Sequence, residues 1–289
     1  MTDPIILSGL RGDSPVAVLA FYGIATLLSS ANAECWWTAR PAGGWQASVR
    51  VPGINGTAAL ADHLVSQIQH NPLTGLLKVA PDANKVMPAD LRRVLNDPPS
   101  AVRAVVAGLV AECPARSKGQ TALSRFTITS FKGKRSVFGT VIREDDHVTA
   151  ALLHEVLAGP WIHRPDHNTL NLDPSAREQD GSRLGVDPST SGVRGVGALL
   201  PLVIRGLPSV PPLPAAARRV RCGAFADNTF VWPVWGQTLP MRAIPWMASR
   251  DWSKRSEAQR RAASVEAVFG ASVTEAKDGR RLTYGRRKP

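Results

Sequence analysis

Residues 154–167 contain the densest group of side chains that could hold a metal ion. Three histidines and two acids lie within this stretch: His154, Glu155, His163, Asp166 and His167. His163 and His167 have the i, i+4 spacing of one helix face, but Pro165 between them argues against a helix. No complete HExxH or comparable motif is present. We therefore predict no metal site, and a metal-dependent nuclease that uses His154, His163 and His167 is the enzymatic alternative.

Motifs for other catalytic chemistry are also missing from the sequence. There is no GxSxG, no phosphate-binding P-loop and no GxGxxG after a strand. The paired acids Asp145 and Asp146 are explained by a solvated turn. No set of residues completes a nucleophile, base and orienting group, so we predict a protein that is not an enzyme and that needs no cofactor.

Charge gives the strongest clue to a partner. The chain has 289 residues and a net charge of +12. Residues 201–289 contain 16 Lys and Arg against 6 Asp and Glu, whereas residues 1–200 contain 19 against 17. A basic surface of this kind is typical of proteins that meet a polyanion, above all a nucleic acid. A surface that only improves solubility is the alternative.

The first group of cations lies between Glu112 and Glu144, where no acid interrupts it. It consists of Arg116, Lys118, Arg125, Lys132, Lys134 and Arg135. The alternation from Phe126 to Phe131 predicts a strand or hairpin beside a basic loop. Such a loop could follow a phosphate backbone with a phenylalanine near a base, or it could have no nucleic-acid partner.

The second group of cations lies near the C-terminus. The pattern predicts a helix from Ser253 to Phe269, ended by Gly270, and then a hairpin with a turn at Asp278 and Gly279. The predicted nucleic-acid contacts here are Lys254, Arg255, Arg260, Arg261, Arg280 and Arg281.

The stretch "LSGLRGDSP" near the N-terminus precedes an apolar helix. Asp13 or Ser14 could cap this helix, and Pro15 suits its first position. Arg11 and Gly12 lie just before the positive end of the helix, so Arg11 and the loop N–H groups could hold a phosphate. An ordinary capped core helix is the alternative.

A tryptophan-rich hairpin is predicted next, over 34–53, around a Pro-Ala-Gly-Gly turn. Its tryptophans are Trp36, Trp37 and Trp45. Tryptophans beside Arg40 and Arg50 could stack on bases, but burial in a core formed by a sheet and helices is the favoured interpretation.

These elements predict a mixed α+β fold. We expect an α+β body over 1–206 and a smaller basic unit over 218–289, separated by the proline-rich residues 207–217. Cys35, Cys113 and Cys222 form no CxxC pair, so neither a zinc site nor a disulfide framework is predicted. No signal peptide or membrane span is evident, so we expect a cytoplasmic protein.

Four stretches together resemble a known family of CRISPR-associated proteins. They are "LSGLRGDSP" before a helix of small residues, "LDPSAREQDG", "RGVGALLPLVIRGLPSVPPLP" and "RRVRCGAFADNTFVWPVWGQTLPM". Their order is similar to that in large-subunit-like proteins of the type I-G (formerly I-U) effector, or Cascade. Residues 55–150 carry no part of this resemblance, and the chain is short for a large subunit.

The resemblance implies a component of an antiviral surveillance complex guided by crRNA. Its expected partners are crRNA, target DNA, the other subunits and a separate helicase-nuclease, with no membrane. Its expected role is to help recognise the PAM in the target DNA and to recruit the nuclease. A free-standing DNA-binding regulator is the other alternative.

Overall fold

A computed structural model of the chain describes most of its residues. These are 3–112, 121–124, 126, 136–170, 172–177, 194–215, 219–222, 225–226, 228–276 and 279–288. Within these ranges the fold is a mixed α+β one, as predicted from the sequence.

The helices and strands come in alternating groups along the chain. The helices are α1 (Pro15–Leu27), α2 (Gly56–His70), α3 (Leu76–Val79), α4 (Pro88–Asn96), α5 (Ala101–Leu109), α6 (Val137–Asp146), α7 (Ala150–Ala158), α8 (Leu199–Gly206), α9 (Ile244–Ala248) and α10 (Glu257–Ala262). The strands are β1 (Ile5–Arg11), β2 (Glu34–Ala39), β3 (Trp45–Arg50), β4 (Val110–Glu112), β5 (Thr121–Leu123), β6 (His163–Arg164), β7 (Gly195–Val196), β8 (Pro212–Ala215), β9 (Arg219–Cys222), β10 (Phe225–Ala226), β11 (Thr229–Trp235), β12 (Leu239–Pro240), β13 (Val265–Ala276), β14 (Gly279–Leu282) and β15 (Arg286–Arg287).

Helix α1 begins as its local sequence predicts. Pro15 occupies the first turn, and the Ser14 hydroxyl accepts a hydrogen bond from the Ala17 N–H. The helix is buried on every side from Pro15 to Ala25. Helix α8 covers one side so closely that a Cβ at Gly23 would lie 1.8 Å from the Leu202 carbonyl oxygen. Glycine at this position therefore lets the two backbones touch.

The hairpin of β2 and β3 forms the centre of an antiparallel sheet with the order β1-β3-β2-β12. Trp37 is buried, whereas Trp36 and Trp45 are partly buried and pack against the core. Core packing, the favoured interpretation of these tryptophans, is therefore confirmed for Trp37. Arg50 lies 5.3 Å from the centre of the Trp36 ring and donates a hydrogen bond to Glu34.

The predicted helix from Ser253 to Phe269 is wrong in its second half. Helix α10 ends at Ala262, and Ser264 adopts a positive φ of 54° before β13 begins. Strand β13 pairs along β11, with Val231 opposite Gly270 and Trp232 opposite Phe269. Pairing with the neighbouring strand overrides the helical spacing of the apolar residues. Gly270 is therefore a strand residue and not a helix cap.

The C-terminal sheet shares its core with the N-terminal one. The indole N–H of Trp232 donates to the Gly12 carbonyl at 2.8 Å, and that of Trp235 donates to the Cys35 carbonyl at 3.3 Å. The rings of Trp37 and Trp235 meet edge to face, with their centres 6.1 Å apart. The boundary proposed within 207–217 stays a prediction, and the packing shows extensive contact across it.

Within the described ranges, no helix is long and apolar enough to cross a lipid bilayer.

Candidate functional site

An exposed tryptophan lies at the centre of residues 242–261, which we call the basic segment. Trp246 in α9 is 48% exposed, although it is a large apolar side chain. The Arg250 guanidinium carbon lies 4.2 Å from the centre of the Trp246 ring, a cation–π distance. Trp252 meets Trp246 edge to face at 5.7 Å and is itself buried. Trp246 is thus held in place while nearly half of its surface stays open.

Short local motifs shape the basic segment. Pro245 occupies the first turn of α9. The Asp251 carboxylate accepts hydrogen bonds from the backbone and hydroxyl of Ser253. Ser256 and Gln259 form a reciprocal capping box at the start of α10. These motifs fix the backbone of the segment between α9 and α10, which contains Lys254 and Arg255.

Three of the four cations predicted here are at the surface. Lys254 is 75% exposed and lies 3.3 Å from the Asp251 carboxylate. Arg255 is exposed, and Arg261 forms an exposed i, i+4 ion pair with Glu257. Exposed pairs of this kind are weak, so the charges of these residues are available to a polyanion.

Arg260 has a different role from its neighbours. Its Nε donates to the carbonyls of Trp252 and Arg255, both at 3.1 Å, and a terminal nitrogen donates to the Ser253 carbonyl at 3.3 Å. These bonds tie α10 to the preceding turn. Replacing Arg260 would therefore change the shape of the basic segment as well as its charge.

The other predicted contacts lie on β14 and in the first group of cations. Arg280 and Arg281 lie on β14 opposite Glu275 and Thr274 of β13, but only their backbone is described. The predicted contacts of the first cation group lie outside the described residues: Arg116, Lys118, Arg125, Lys132, Lys134 and Arg135.

Arg11 lies at a separate place, on the lining of a cavity of about 590 Å³. Its guanidinium forms two hydrogen bonds with the Asp13 carboxylate, at 3.0 and 2.6 Å. The hydrogen bond and charge of Asp13 raise the pKa of Arg11. Its positive charge is therefore partly balanced within its own turn.

The cavity is built from segments that are far apart in sequence. Its lining includes Arg40 and parts of the segments 8–14, 158–163, 173–175 and 284–285. The Ser8 hydroxyl donates to the Ala158 carbonyl at 2.6 Å, which holds β1 against the end of α7.

A buried polar cluster forms part of the lining. His163 Nε2 lies 2.8 Å from Asp173 Oδ2, and the two side chains are 3% and 1% exposed. The Ser175 hydroxyl donates to Asp173 Oδ1 at 2.6 Å and lies 3.2 Å from the same His163 nitrogen. In a Ser-His-Asp catalytic triad, the serine and the carboxylate bond opposite ring nitrogens. Here both contact Nε2, so the cluster lacks the triad arrangement.

The histidines of the nuclease alternative have separate partners. His154 contacts the Thr57 hydroxyl at 3.2 Å, His163 pairs with Asp173, and His167 Nδ1 lies 2.8 Å from Glu144. The part of the chain that the structure describes contains no group of three or more His, Cys, Asp or Glu placed to hold a metal ion.

Sequence reasoning missed Trp246 and Arg250, although they have the i, i+4 spacing at which side chains meet on a helix. It also missed the pairing of His163 with Asp173, which no spacing rule reveals. The sequence matches no model of a known protein family, and it has no significant match among curated proteins.

Proposed function

We propose that this protein is a non-catalytic nucleic-acid-binding subunit of a crRNA-guided type I surveillance complex. In this role it contributes to recognition of target DNA and its PAM and to recruitment of a separate nuclease. The proposal also places it in the cytoplasm, with crRNA and the other subunits as neighbours.

The observation that carries the proposal is the exposed Trp246, with Arg250 over its ring, in the basic segment. Aromatic rings flanked by cations bind single-stranded nucleic acids, because the ring stacks on a base while the cations contact phosphates. Lys254, Arg255 and Arg261 provide such cations on the following turn.

The narrower assignment to a surveillance complex depends on the sequence resemblance. Two of the stretches that carry it contribute to one cavity, through residues 8–14 and 173–175. The proximity of these stretches in the fold is consistent with a shared role.

Purification of the tagged chain from its native host, with sequencing of bound RNA, tests the assignment. We expect guide RNAs with a common repeat sequence and co-purifying subunits. Sequence-specific duplex binding without RNA would support a free-standing regulator instead. Metal-dependent cleavage of DNA or RNA, abolished by His163→Ala or His167→Ala, would support the nuclease alternative.

Loss of two exposed cations should weaken nucleic-acid binding at any sequence. We expect the double variant Lys254→Ala/Arg255→Ala to make the slope of log affinity against log salt less steep by about 1.4 to 1.8, which is roughly 25- to 60-fold weaker binding at 0.1 M salt relative to equal affinities at 1 M. The measurement is a salt titration with a labelled single strand and with guide-loaded complex. Arg260 is kept in this variant because its hydrogen bonds to the carbonyls of residues 252, 253 and 255 stabilise the turn.

The matched control for this pair is Arg92→Ala/Arg93→Ala, which removes two exposed cations from α4. It should leave the slope close to that of the wild type. Equal effects of the two double variants would show that only net charge matters. The basic segment would then have no special role.

Removing the Trp246 ring should affect single strands more than duplexes. Stacking on one base contributes about 1–3 kcal/mol, and bases in a duplex are already stacked on one another. We expect Trp246→Ala to weaken binding of a single-stranded oligonucleotide by that amount, and Trp246→Phe to retain much of it. Leu77→Ala, at another exposed apolar residue, is the control. Equal losses on single and double strands would contradict stacking.

A further inference from the structure

The cavity lined by Arg11, Arg40 and His163 has the size of a small-molecule site. Its volume of about 590 Å³ lies within the range of roughly 300–1,000 Å³ that is typical of ligand pockets. Three features of its lining identify the chemistry of a ligand: an unpaired cation, aromatic surface and an unsatisfied buried nitrogen.

The unpaired cation is Arg40. It is half-buried at the turn after β2, and its guanidinium has no hydrogen bond or ion pair with the residues that the structure describes. Among the described residues of the lining, Arg11 pairs with Asp13, whereas the Asp173 carboxylate contacts His163 Nε2 and accepts a hydrogen bond from the Ser175 hydroxyl. Arg40 is therefore the cation of this lining that can bind an anion such as a phosphate.

The aromatic surface comes from Trp161 and Tyr284. Trp161 is half-buried, and its indole N–H donates to the Val156 carbonyl at 3.0 Å, which fixes the ring. Tyr284 is 45% exposed at the connection between β14 and β15. Both line the cavity. Planar rings of this kind bind planar heterocycles by stacking.

The unsatisfied nitrogen is His163 Nδ1, which is buried and has no hydrogen-bond partner among the described residues. Because Nε2 contacts Asp173, the neutral ring with its proton on Nε2 has Nδ1 as a free acceptor. A buried polar atom without a partner is unfavourable, and a ligand N–H or O–H would satisfy it.

We propose that this cavity binds one nucleotide, with its phosphate at Arg40, its base against Trp161 or Tyr284, and a base or sugar donor at His163 Nδ1. This inference rests on the proposed function, because it identifies a second contact for a nucleic acid besides the basic segment. The ligand is either a free nucleoside phosphate or a single unstacked nucleotide of a chain.

Binding of AMP and of a labelled twelve-nucleotide RNA to the full-length protein distinguishes these sources. Arg40→Gln should lower affinity at least tenfold for whichever probe occupies the cavity. Arg93→Gln, at an exposed arginine of α4, should leave both affinities unchanged. Thermal melting of both variants checks that the fold is retained.

Photo-crosslinking of wild-type protein with RNA containing 5-iodouridine provides a readout that needs no variant. A crosslink at Trp161 or Tyr284 supports a nucleotide of a chain in the cavity. AMP binding that is lost in Arg40→Gln but kept in Lys254→Ala/Arg255→Ala supports a free nucleotide.

The remaining outcomes separate this inference from the proposed function. RNA binding that responds only to the basic segment, without a crosslink at either ring and without AMP binding, overturns the cavity site alone. AMP binding sensitive to Arg40→Gln without any RNA binding supports the cavity site and overturns the proposed function. Failure of both probes to bind overturns both.

Discussion

Replacing Arg205 with methionine is expected to destabilise the protein by about 3–5 kcal/mol, because it leaves a buried carboxylate without its cation. Arg205 in α8 binds both oxygens of Asp145 in α6, at 2.5 and 3.1 Å. The two side chains are 2% and 4% exposed, so the solvated turn predicted for Asp145 is wrong: this residue lies at the end of α6 and faces the core. Urea denaturation, followed by circular dichroism, would measure the change in the free energy of unfolding.

The surroundings of this pair explain the size of the expected effect. Arg205 also donates to the carbonyls of Pro201 and Asn71, at 3.2 and 3.0 Å. Asp145 accepts a hydrogen bond from the Leu73 N–H at 3.1 Å. The pair therefore connects α8 and α6 with the segment after α2. In Arg205→Met, the Leu73 N–H would be the one partner left to the Asp145 carboxylate among the described residues.

Two further variants identify the cause of the loss. Arg205→Met/Asp145→Asn removes both charges and should recover part of the lost stability, because an amide is less costly to bury than an unpaired carboxylate. Arg92→Met removes an exposed partner of Glu112 and should leave the denaturation midpoint nearly unchanged. A wild-type midpoint for Arg205→Met would show that this ion pair does not stabilise the fold.

Local chemistry was sufficient to predict several elements. The Ser14 cap and Pro15 mark the start of α1, as expected from the sequence. The β2–β3 hairpin also forms where the turn residues predict it. In each case the signal lies within a few residues of the element, so tertiary contacts do not need to be known.

Elements that depend on distant partners were harder to predict. Residues 258–269 have helical spacing of apolar residues, but β11 is available to pair with Val265 onward. Only the tertiary structure reveals that partner. In β1, Ile5 and Leu7 are buried and Ile6 is exposed. Because all three residues are apolar, the sequence does not show this alternation and does not predict the strand.

The candidate sites likewise combine features that the sequence predicts with features that depend on tertiary contacts. The charge of the basic segment is visible in the sequence, and the exposure of Lys254, Arg255 and Arg261 follows from their positions in a short polar helix and its preceding turn. The structural bonds of Arg260 are not visible there. The cavity joins Arg11, Arg40, His163 and Tyr284 through the packing of separate elements, so no local pattern could predict it.

Replacing Gly23 with alanine is the second large effect that we expect. A Cβ at Gly23 would lie 1.8 Å from the Leu202 carbonyl oxygen, and one at Gly206 would lie 2.0 Å from the Leu19 carbonyl oxygen. The neighbouring atoms belong to the backbone, so no side-chain rotation relieves the overlap. Helices α1 and α8 would have to move apart.

We expect Gly23→Ala to lower the free energy of unfolding by about 3 kcal/mol or more, since overpacking of a core commonly costs 1–3 kcal/mol and here the backbone itself must shift. The higher helix propensity of alanine offsets only about 1 kcal/mol of this. Denaturation by urea measures this loss of stability. Calorimetry of AMP binding to the folded variant measures whether a shift of α1 also disturbs the cavity, which lies at the N-terminal end of α1.

Gly139→Ala in α6 is the matched control, because its Cβ would meet Ser136 at an ordinary 3.5 Å. This variant should be as stable as the wild type or slightly more so. If Gly23→Ala behaved like Gly139→Ala, the backbones of α1 and α8 would not be in contact in solution. Arg205, which reaches Asp145 from α8, would then have to be held in place by something other than the close packing of α8 on α1.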